Sequence, residues 1–260
     1  MAAPPASVRD AFGVEAVPEQ LAGGQRTAWR CGDVVLKPLD MAPLALKWQA
    51  DLLPTIAPNG FRVAAPLRTQ SGELIKGGWT AWPFLAGQHT RRWADIVAVG
   101  ARFHDALASV PKPPSVLEAT PTRWAQADRV AWEEQDAWAI PGVPDVVWLL
   151  DSRRPITMPD QLIHGDLSGN VLFADDQPPA IIDFSPYWRP KRYATAIVLV
   201  DAIAWHHADA RLLDRFLREP DGAQLLIRAA LLRLFSDINP AAGRYDVVID
   251  TLRQNDHWAI

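Results

Sequence analysis

The fold of this chain is indicated most clearly by the stretch Leu162-Ile-His-Gly-Asp-Leu-Ser-Gly-Asn-Val-Leu-Phe173 and by the segment that follows it, Ala180-Ile-Ile-Asp-Phe-Ser185. Two short apolar runs, Val171–Phe173 and Ala180–Ile182, lie on either side of a connection that contains two aspartates and two prolines. Short apolar runs bounded by turn residues are typical of buried β-strands. The pattern therefore predicts a β-hairpin with buried strands.

Three polar side chains gather at one end of this predicted hairpin. Asp166 and Asn170 precede the first strand, and Asp183 ends the second. Buried carboxylates are rare unless they are paired or hold a metal ion. Carboxylate and carbonyl oxygens suit a hard cation such as Mg²⁺, whose shell is usually completed by phosphate oxygens and water. The pattern indicates a magnesium site that also takes a phosphorylated ligand; the alternative is an ordinary hairpin with chance acidic residues.

The same residues resemble the catalytic segment of the protein-kinase-like superfamily, in its small-molecule branch. His164-Gly-Asp-Leu167 matches a motif of the aminoglycoside phosphotransferases, and Ile182-Asp-Phe-Ser185 matches the element that stands where protein kinases carry Asp-Phe-Gly. The resemblance implies transfer of the γ-phosphoryl group of ATP, with Mg²⁺, to a hydroxyl group of a small molecule. It implies that Asp166 is the catalytic residue, which orients the hydroxyl and accepts its proton, and that Asn170 and Asp183 bind the metal ions.

The chain departs from the family pattern at one point of this segment. Asn170 follows Asp166 by four residues, one fewer than in the family pattern. We expect Gly169 to compensate for the shorter loop by adopting a positive φ angle. This spacing, with the following Ser185-Pro-Tyr-Trp-Arg-Pro190, is similar to an actinobacterial subgroup of these kinase-like proteins.

The N-terminal segment has the features of a nucleotide-binding lobe. Residues 17–38 are predicted to form three strands, joined by a turn at Gly23 and Gly24 and a tight turn at Gly32-Asp33. Backbone N–H groups of a Gly-Gly turn can approach phosphate oxygens closely. The resemblance implies that Lys37, which ends the third strand, contacts the α- and β-phosphates. The alternatives are a plain hairpin turn and a solvated surface lysine.

The partner of this lysine is left open by the sequence. A helix is predicted over Pro43–Ile56 from a proline at its start and apolar residues every four positions. In kinases the equivalent helix carries a glutamate that pairs with the lysine. The best-aligned residue here is Gln49, with Asp51 two positions on. Either Asp51 supplies the charge or Gln49 accepts a neutral hydrogen bond from Lys37, which lacks charge assistance.

Two further strands, residues 62–68 and 79–85, are predicted to complete the N-terminal sheet. The second falls where the resemblance places the hinge between the lobes. Trp82 and Phe84 would then offer backbone groups to the adenine edge, with their rings near the base. The alternative is a buried strand with aromatic core residues.

The rest of the chain is predicted to be helical, with the helices at residues 91–108, 122–138, 191–207, 209–218, 222–235 and 244–258. His104 is expected to be structural. The resemblance places Asp201 near the catalytic loop, where it would brace His164 and Asp166. The fold class is therefore α+β, a protein-kinase-like fold of two lobes: an antiparallel-sheet lobe at residues 1–85 and an α-rich lobe at residues 86–260.

The composition excludes several classes of protein. The 260 residues are 49% hydrophobic and 22% charged, which is typical of a folded chain. A net charge of −4 predicts no nucleic-acid partner. The single cysteine, Cys31, excludes an internal disulfide bond. The longest apolar stretch, Ala194–Val200, is too short for a bilayer and the N-terminus lacks a signal-peptide pattern, so we expect a cytoplasmic protein with no membrane partner.

The acceptor is expected to be neutral or anionic. From residue 185 to 260, nine acidic residues stand against ten basic ones, and Arg189, Lys191 and Arg192 closely follow Asp183. A site for a polycationic aminoglycoside would instead be lined with carboxylates.

Two functions from different classes remain open. Lys37, Asp166, Asn170 and Asp183 are present, and only the helix glutamate of the expected set is replaced. Pseudoenzymes usually lose a reactant or a metal ligand, so a phosphotransferase is favoured. The alternative is a nucleotide-binding pseudokinase with a scaffold or sensor role. Gly165, in place of the usual arginine, disfavours a kinase that acts on proteins.

Overall fold

The structure, a computed structural model, describes residues 2–22, 26–113, 122–140, 145–238, 241 and 243–255. Within these ranges the chain forms two compact units. The first unit contains residues 2–90 and 171–183, and the second contains residues 91–113, 122–170 and 184–255.

The described residues form short strands and helices along the whole chain. The strands are β1 (Glu19–Gln20), β2 (Trp29–Cys31), β3 (Val34–Pro38), β4 (Arg62–Val63), β5 (Trp79–Pro83), β6 (Gln88–His89), β7 (Asp160–His164), β8 (Val171–Phe173), β9 (Ala180–Ile181) and β10 (Pro186–Pro190). The helices are α1 (Ala6–Ala11), α2 (Pro43–Leu52), α3 (Trp93–Leu107), α4 (Arg123–Ala131), α5 (Val146–Asp151), α6 (Lys191–Ala204), α7 (Leu212–Leu217), α8 (Gly222–Ser236) and α9 (Asp246–Gln254). A 3₁₀ turn, Leu53–Thr55, extends α2.

The first unit contains an antiparallel sheet in the order β1-β2-β3-β5. A tight turn joins β2 to β3, and Gly32 takes φ +65 in it, a backbone conformation that glycine adopts without strain. Successive residues of a strand point to opposite faces. Leu36 and Ala81 therefore lie in one apolar cluster, whereas Val35 and Trp82 lie in another.

Helix α2 buries a different face from the one that the sequence predicts. Leu44, expected on the inner face, is 57% exposed, whereas Leu46, Gln49 and Leu53 are buried. These three residues follow the three- and four-residue steps of one helical stripe. Because Gln49 is polar, a search for apolar residues at helical spacing does not detect this stripe.

The predicted hairpin is confirmed, but its sheet contains an unexpected strand. β8 and β9 pair antiparallel in a sheet of the order β4-β9-β8-β6. β4 was predicted in the N-terminal sheet, yet it pairs parallel with β9. The guanidinium of Arg62 donates to the carbonyls of Pro178 and Ala86, at 2.8 and 2.7 Å, and so fixes β4 beside the hairpin. These pairings join residues 171–183 to the first unit, which differs from a division at residue 85.

The second unit consists of helices and the two-stranded ribbon β7-β10. Helix α8 is almost wholly buried, and most of its residues are apolar. Helix α4 is capped by the Thr122 hydroxyl, which accepts from the Ala125 amide, and it ends earlier than predicted because Glu133 takes φ +62. Among the described residues, no helix is both long and apolar enough to cross a bilayer.

Candidate active site

Two buried histidines hold the loop after β7. The backbone N–H of His164 donates to Nε2 of His104 on α3, at 3.0 Å. The N–H of Asp166 donates to Nδ1 of His164, at 3.1 Å, and the N–H of Gly165 donates to the carbonyl of Ser185, at 2.9 Å. His164 is fully buried, so its ring fixes the backbone at Asp166 from inside the unit.

His104 is neutral in this arrangement. Burial lowers its pKa to about 3, and the neighbouring His164 and Lys191 act in the same direction. Only an unprotonated Nε2 can accept the His164 N–H. The contact is therefore structural, as the sequence suggests.

The side chain of Asp166 is held by an arginine that the sequence analysis missed. Nη2 of Arg233, on α8, donates to Oδ1 of Asp166 at 2.8 Å. The same guanidinium binds Asp201 with two bonds, Nε to Oδ1 at 2.7 Å and Nη2 to Oδ2 at 2.6 Å. The Ser168 hydroxyl also donates to Oδ2 of Asp201, at 2.6 Å. The available signal was a single charge inside the apolar run Leu231-Leu-Arg-Leu-Phe235.

Asp201 lies beside the loop, where the resemblance placed it as a brace for His164 and Asp166. Its bonds go to Ser168 and to Arg233, and Arg233 in turn bonds Asp166. Asp201 is buried, and a buried carboxylate prefers a bidentate guanidinium to backbone groups already bonded elsewhere.

Asp166 is ionised and accessible. Burial by itself would raise its pKa, but the charge and hydrogen bond of Arg233, with His164 and Asn170, outweigh burial and lower the pKa. The side chain remains 45% exposed. A carboxylate in this state can accept a proton from a hydroxyl group in solvent reach.

Asn170 lies beside Asp166, and the loop closes without strain at Gly169. Nδ2 of Asn170 donates to the carbonyl of Asp166 at 2.7 Å and to its Oδ2 at 3.2 Å. The expected positive φ at Gly169 is wrong. A turn closes the short loop instead, in which the Asn170 N–H donates to the Leu167 carbonyl at 3.0 Å. Within the described residues, Oδ1 of Asn170 accepts no hydrogen bond.

In the first unit, Lys37 pairs with Asp183. Nζ of Lys37 lies 2.8 Å from Oδ1 of Asp183 and 3.2 Å from Oδ2 of Asp40, which the sequence analysis did not select. Burial would lower the pKa of Lys37, but the two carboxylates outweigh it and raise the pKa. Asp183 takes φ +48 and its side chain is 53% exposed. The lysine is therefore a cation held against an accessible carboxylate.

Neither of the two residues predicted to pair with Lys37 bonds it in the structure. Asp51 lies on the exposed side of α2, where Lys47 and Arg68 donate to its carboxylate. Gln49 lies on the buried face of the same helix. The carboxylates that contact Lys37 belong to Asp40, two residues after β3, and Asp183, two residues after β9.

The predicted nucleotide-binding residues are only partly open to a ligand. The indole of Trp82 is buried and donates to the Thr80 hydroxyl at 3.2 Å. The N–H of Phe84 donates to the Asp33 carbonyl at 2.7 Å, and the ring of Phe84 lies 3.7 Å from the guanidinium carbon of Arg30. The Phe84 amide is thus engaged within the unit. Gly23 and Gly24 lie outside the described residues.

The family is decided by a comparison that spans both the strands of Lys37 and the loop of Asp166. The family model of the phosphotransferase enzyme family, APH, matches residues 19–187, more than half of the chain. The chain belongs to the phosphotransferase enzyme family. Comparison of this phosphotransferase with curated proteins gave no match.

Solved structures show that the phosphotransferase has a protein-kinase-like fold. The amicoumacin kinase hAmiN, in complex with AMP-PNP, Ca²⁺ and Ami, has a TM-score of 0.58 and 13% identity over 95% of this chain and 91% of its own. The choline kinase LicA from Streptococcus pneumoniae has a TM-score of 0.58 and 13% identity, over 95% of this chain and 97% of its own. The aminoglycoside phosphotransferase APH(4)-Ia, with ADP and hygromycin B, has a TM-score of 0.56 and 14% identity, over 96% of this chain and 98% of its own.

Proposed function

We propose that this phosphotransferase transfers the γ-phosphoryl group of ATP, with Mg²⁺, to a hydroxyl group of a small molecule in the cytoplasm. The observation that carries the proposal is the state of Asp166, which is ionised, 45% exposed and fixed by Arg233 and Asn170. A general base must be able to reach the hydroxyl whose proton it accepts. The small-molecule ligands named for the similar structures, amicoumacin and hygromycin B, support an acceptor of this size.

Asp166 would act mainly by positioning. Phosphoryl transfer passes through a loose transition state, which leaves the protein little covalent work. The hydroxyl of the acceptor would donate a hydrogen bond to Asp166, and its proton would move to the carboxylate late in the reaction. Because Oδ1 is held by Arg233, Oδ2 is the oxygen that remains for the acceptor beside its longer bond to Asn170.

The residues present fit a magnesium ion that is bound together with a nucleotide. Asn170 directs its amide nitrogen to Asp166, which leaves the carbonyl oxygen as a ligand, and Asp183 offers an accessible carboxylate. Among the described residues, no cluster of three or more His, Cys, Asp or Glu side chains forms a complete metal cage. Mg²⁺ is typically held by one or two protein oxygens plus phosphates and water. When bound, it would neutralise charge on the phosphates.

Lys37 is the proposed phosphate ligand of the first unit. Its ammonium is 13% exposed and already lies against Asp183, the proposed metal ligand. With Asp183 engaged as a metal ligand, Lys37 would be able to turn its ammonium toward phosphate oxygens. Trp82, Phe84 and the Gly23-Gly24 turn remain proposed contacts of the nucleotide.

The alternative is a nucleotide-binding pseudokinase with a scaffold or sensor role. The observation that favours it is the helix α2, which offers Lys37 no carboxylate because Asp51 is engaged by Lys47 and Arg68. A looser clamp on the nucleotide would weaken the transfer reaction more than binding.

One experiment separates the two functions. The purified protein is incubated with Mg²⁺ and ATP and a panel of hydroxylated metabolites, and new phosphate esters are detected by ³¹P nuclear magnetic resonance. Calorimetry measures nucleotide binding in parallel, with and without Mg²⁺. A new ester with at least one acceptor supports the phosphotransferase. Magnesium-dependent binding with no ester and no ATP hydrolysis would support the pseudokinase, and absence of binding would reject both.

A further inference from the structure

Helix α8 brings a buried cation to the catalytic carboxylate. Arg233 is the one residue of α8 that bonds Asp166 within the described chain, and its side chain is only 11% exposed. It lies 67 positions after Asp166, outside the loop motif that carries the family resemblance. Its role therefore has to be argued from the contacts.

We propose that Arg233 is a positioning residue for phosphoryl transfer: it fixes Oδ1 of Asp166 and leaves Oδ2 for the acceptor hydroxyl. The proposal rests on the proposed function, since it concerns the same reaction. Arg233 does not touch the reacting atoms and acts through Asp166.

The first support is geometric. A guanidinium is planar and its donors have a fixed arrangement, so two bonds to Asp201 set its orientation. Asp201 is itself buried, with 7% of its side chain exposed, and is also bonded by Ser168. Arg233 thus reaches Asp166 from a site held on α6 and α8, and the carboxylate cannot rotate without breaking a charge-assisted bond.

The second support is burial. The side chains of Arg233 and Asp201 are 11% and 7% exposed, so little water reaches the bonds between them. A guanidinium that is shielded in this way is a fixed donor for Asp166.

The test compares Arg233→Gln, Arg233→Lys and Asp201→Asn with the wild type. A matched control is Arg228→Lys, because Arg228 is a buried arginine of the same helix whose bonds go to Gln224, Glu133 and the Arg154 carbonyl. The KM for ATP is measured together with kcat, and urea unfolding gives the stability of each variant. Turnover is followed as ADP release from Mg²⁺ and ATP, with water or an identified hydroxyl compound as acceptor.

We expect Arg233→Gln to lower kcat by about tenfold or more, the scale of a lost general-base interaction, with KM for ATP unchanged within about twofold. Arg233→Lys retains a charged donor and should restore part of kcat. Asp201→Asn removes the charge that orients Arg233 and should also lower kcat with KM for ATP unchanged. Arg228→Lys should change neither kcat nor KM, whatever its effect on stability.

The proposal is overturned if Arg233→Gln keeps the wild-type kcat, or if kcat in all four variants falls in proportion to their stability. Where Arg233→Gln does not fold, Arg233→Lys and Asp201→Asn are compared with Arg228→Lys, because a purely structural role predicts that kcat follows stability in all three. A wild type without turnover rejects the proposed function and this proposal with it, whereas a normal kcat in Arg233→Gln rejects only this proposal.

Discussion

The carboxylate of Asp166 accepts hydrogen bonds from two side chains, Arg233 at one oxygen and Asn170 at the other. Both donors favour its ionised form, and burial opposes it. A change that removes the charge of Asp166 but keeps its shape isolates the proton acceptor from the packing around it.

We predict that Asp166→Asn retains the binding of ATP and Mg²⁺ and lowers phosphoryl transfer by about 10²–10⁴-fold, the usual contribution of a general base. The amide preserves the size of the side chain and one oxygen for Arg233. Calorimetry gives the binding constant, and ADP release gives the rate. Turnover close to the wild-type rate would show that another group handles the proton.

Variants of Asp183 and Asp51 give a matched test and control for the proposed metal site. Asp183→Asn should abolish the dependence of nucleotide binding on Mg²⁺, because it removes an accessible carboxylate beside Lys37. Asp51→Asn should leave that dependence intact, since Asp51 contributes only solvent-exposed ion pairs with Lys47 and Arg68. Titrations with and without Mg²⁺ measure both variants. Equal losses in the two would contradict the assignment of Asp183.

His104 makes the stability of the fold depend on pH. Its pKa lies near 6.5 when unfolded and about 3 when folded and buried, so between these values the unfolded state binds more protons. The stability is complete above pH 6.5 and is lost as the pH falls toward 3, by an amount on the order of a few kcal/mol.

We predict that His104→Gln, which cannot titrate, is less stable than the wild type at pH 7.5 and that the difference narrows at pH 5. Urea unfolding at both pH values measures it. A difference that stays constant with pH would mean that His104 is not held neutral in the folded chain.

At the scale of elements, the loop between β7 and β8 contains two glycines, of which only one is required by the packing around it. A Cβ at Gly165 would lie 2.3 Å from the Tyr187 ring of β10, whereas a Cβ at Gly169 meets nothing within 4 Å. The Tyr187 ring occupies the space that a side chain at position 165 would need. The motif residue is therefore dictated by the neighbouring strand.

We predict that Gly165→Ala lowers the free energy of unfolding by about 1–3 kcal/mol, the usual cost of an overpacked site, and lowers turnover because Asp166 is the next residue. Gly169→Ala should be neutral or stabilising by less than about 1 kcal/mol, since a residue other than glycine loses less entropy on folding. Urea midpoints and ADP release compare the two. Equal destabilisation would contradict the contact with Tyr187.

The elements that local pattern determines could be predicted from the sequence, and those set by distant contacts could not. The β8–β9 hairpin was predictable because its apolar runs and turn are adjacent in the chain. The parallel pairing of Arg62–Val63 with β9 joins residues more than a hundred positions apart and depends on the guanidinium of Arg62. Arg233 was missed for the same reason. Lys37, Asp166, Asn170 and Asp183 could be proposed from the sequence because they lie in short segments that resemble family motifs.

At the scale of the whole molecule, the charges near the catalytic loop of the second unit are neutralised in pairs. The sequence offered three cations as contacts for an anionic acceptor, but each of them bonds a carboxylate instead. Arg189 bonds Asp128 and Glu134, Lys191 bonds Asp105, and Arg192 bonds Glu219. A guanidinium already paired with carboxylates is a weak anion site. The support for an anionic acceptor is therefore lost, and a neutral acceptor is favoured.

The same pairing bears on polycationic acceptors. The acidic stretch after Thr122 would be the natural lining of an aminoglycoside site, but Asp128 and Glu134 are bonded by Arg189, and Glu133 by Arg228. A polycation would have to compete with arginines of the protein for each of these carboxylates. The field that attracts such a ligand is correspondingly weak.

We predict that expression of this phosphotransferase in a sensitive bacterium leaves the inhibitory concentrations of kanamycin-type aminoglycosides within about twofold of the control strain, because carboxylates that are already paired do not focus a negative potential. The control strain carries Asp166→Asn at the same level of expression, so any change that depends on phosphoryl transfer is separated from the burden of expression. A large rise that disappears in Asp166→Asn would show that the paired carboxylates exchange their arginine partners for the amines of the drug. Salt dependence of acceptor binding gives the same answer in the purified protein, since a neutral acceptor should bind equally well at low and high ionic strength.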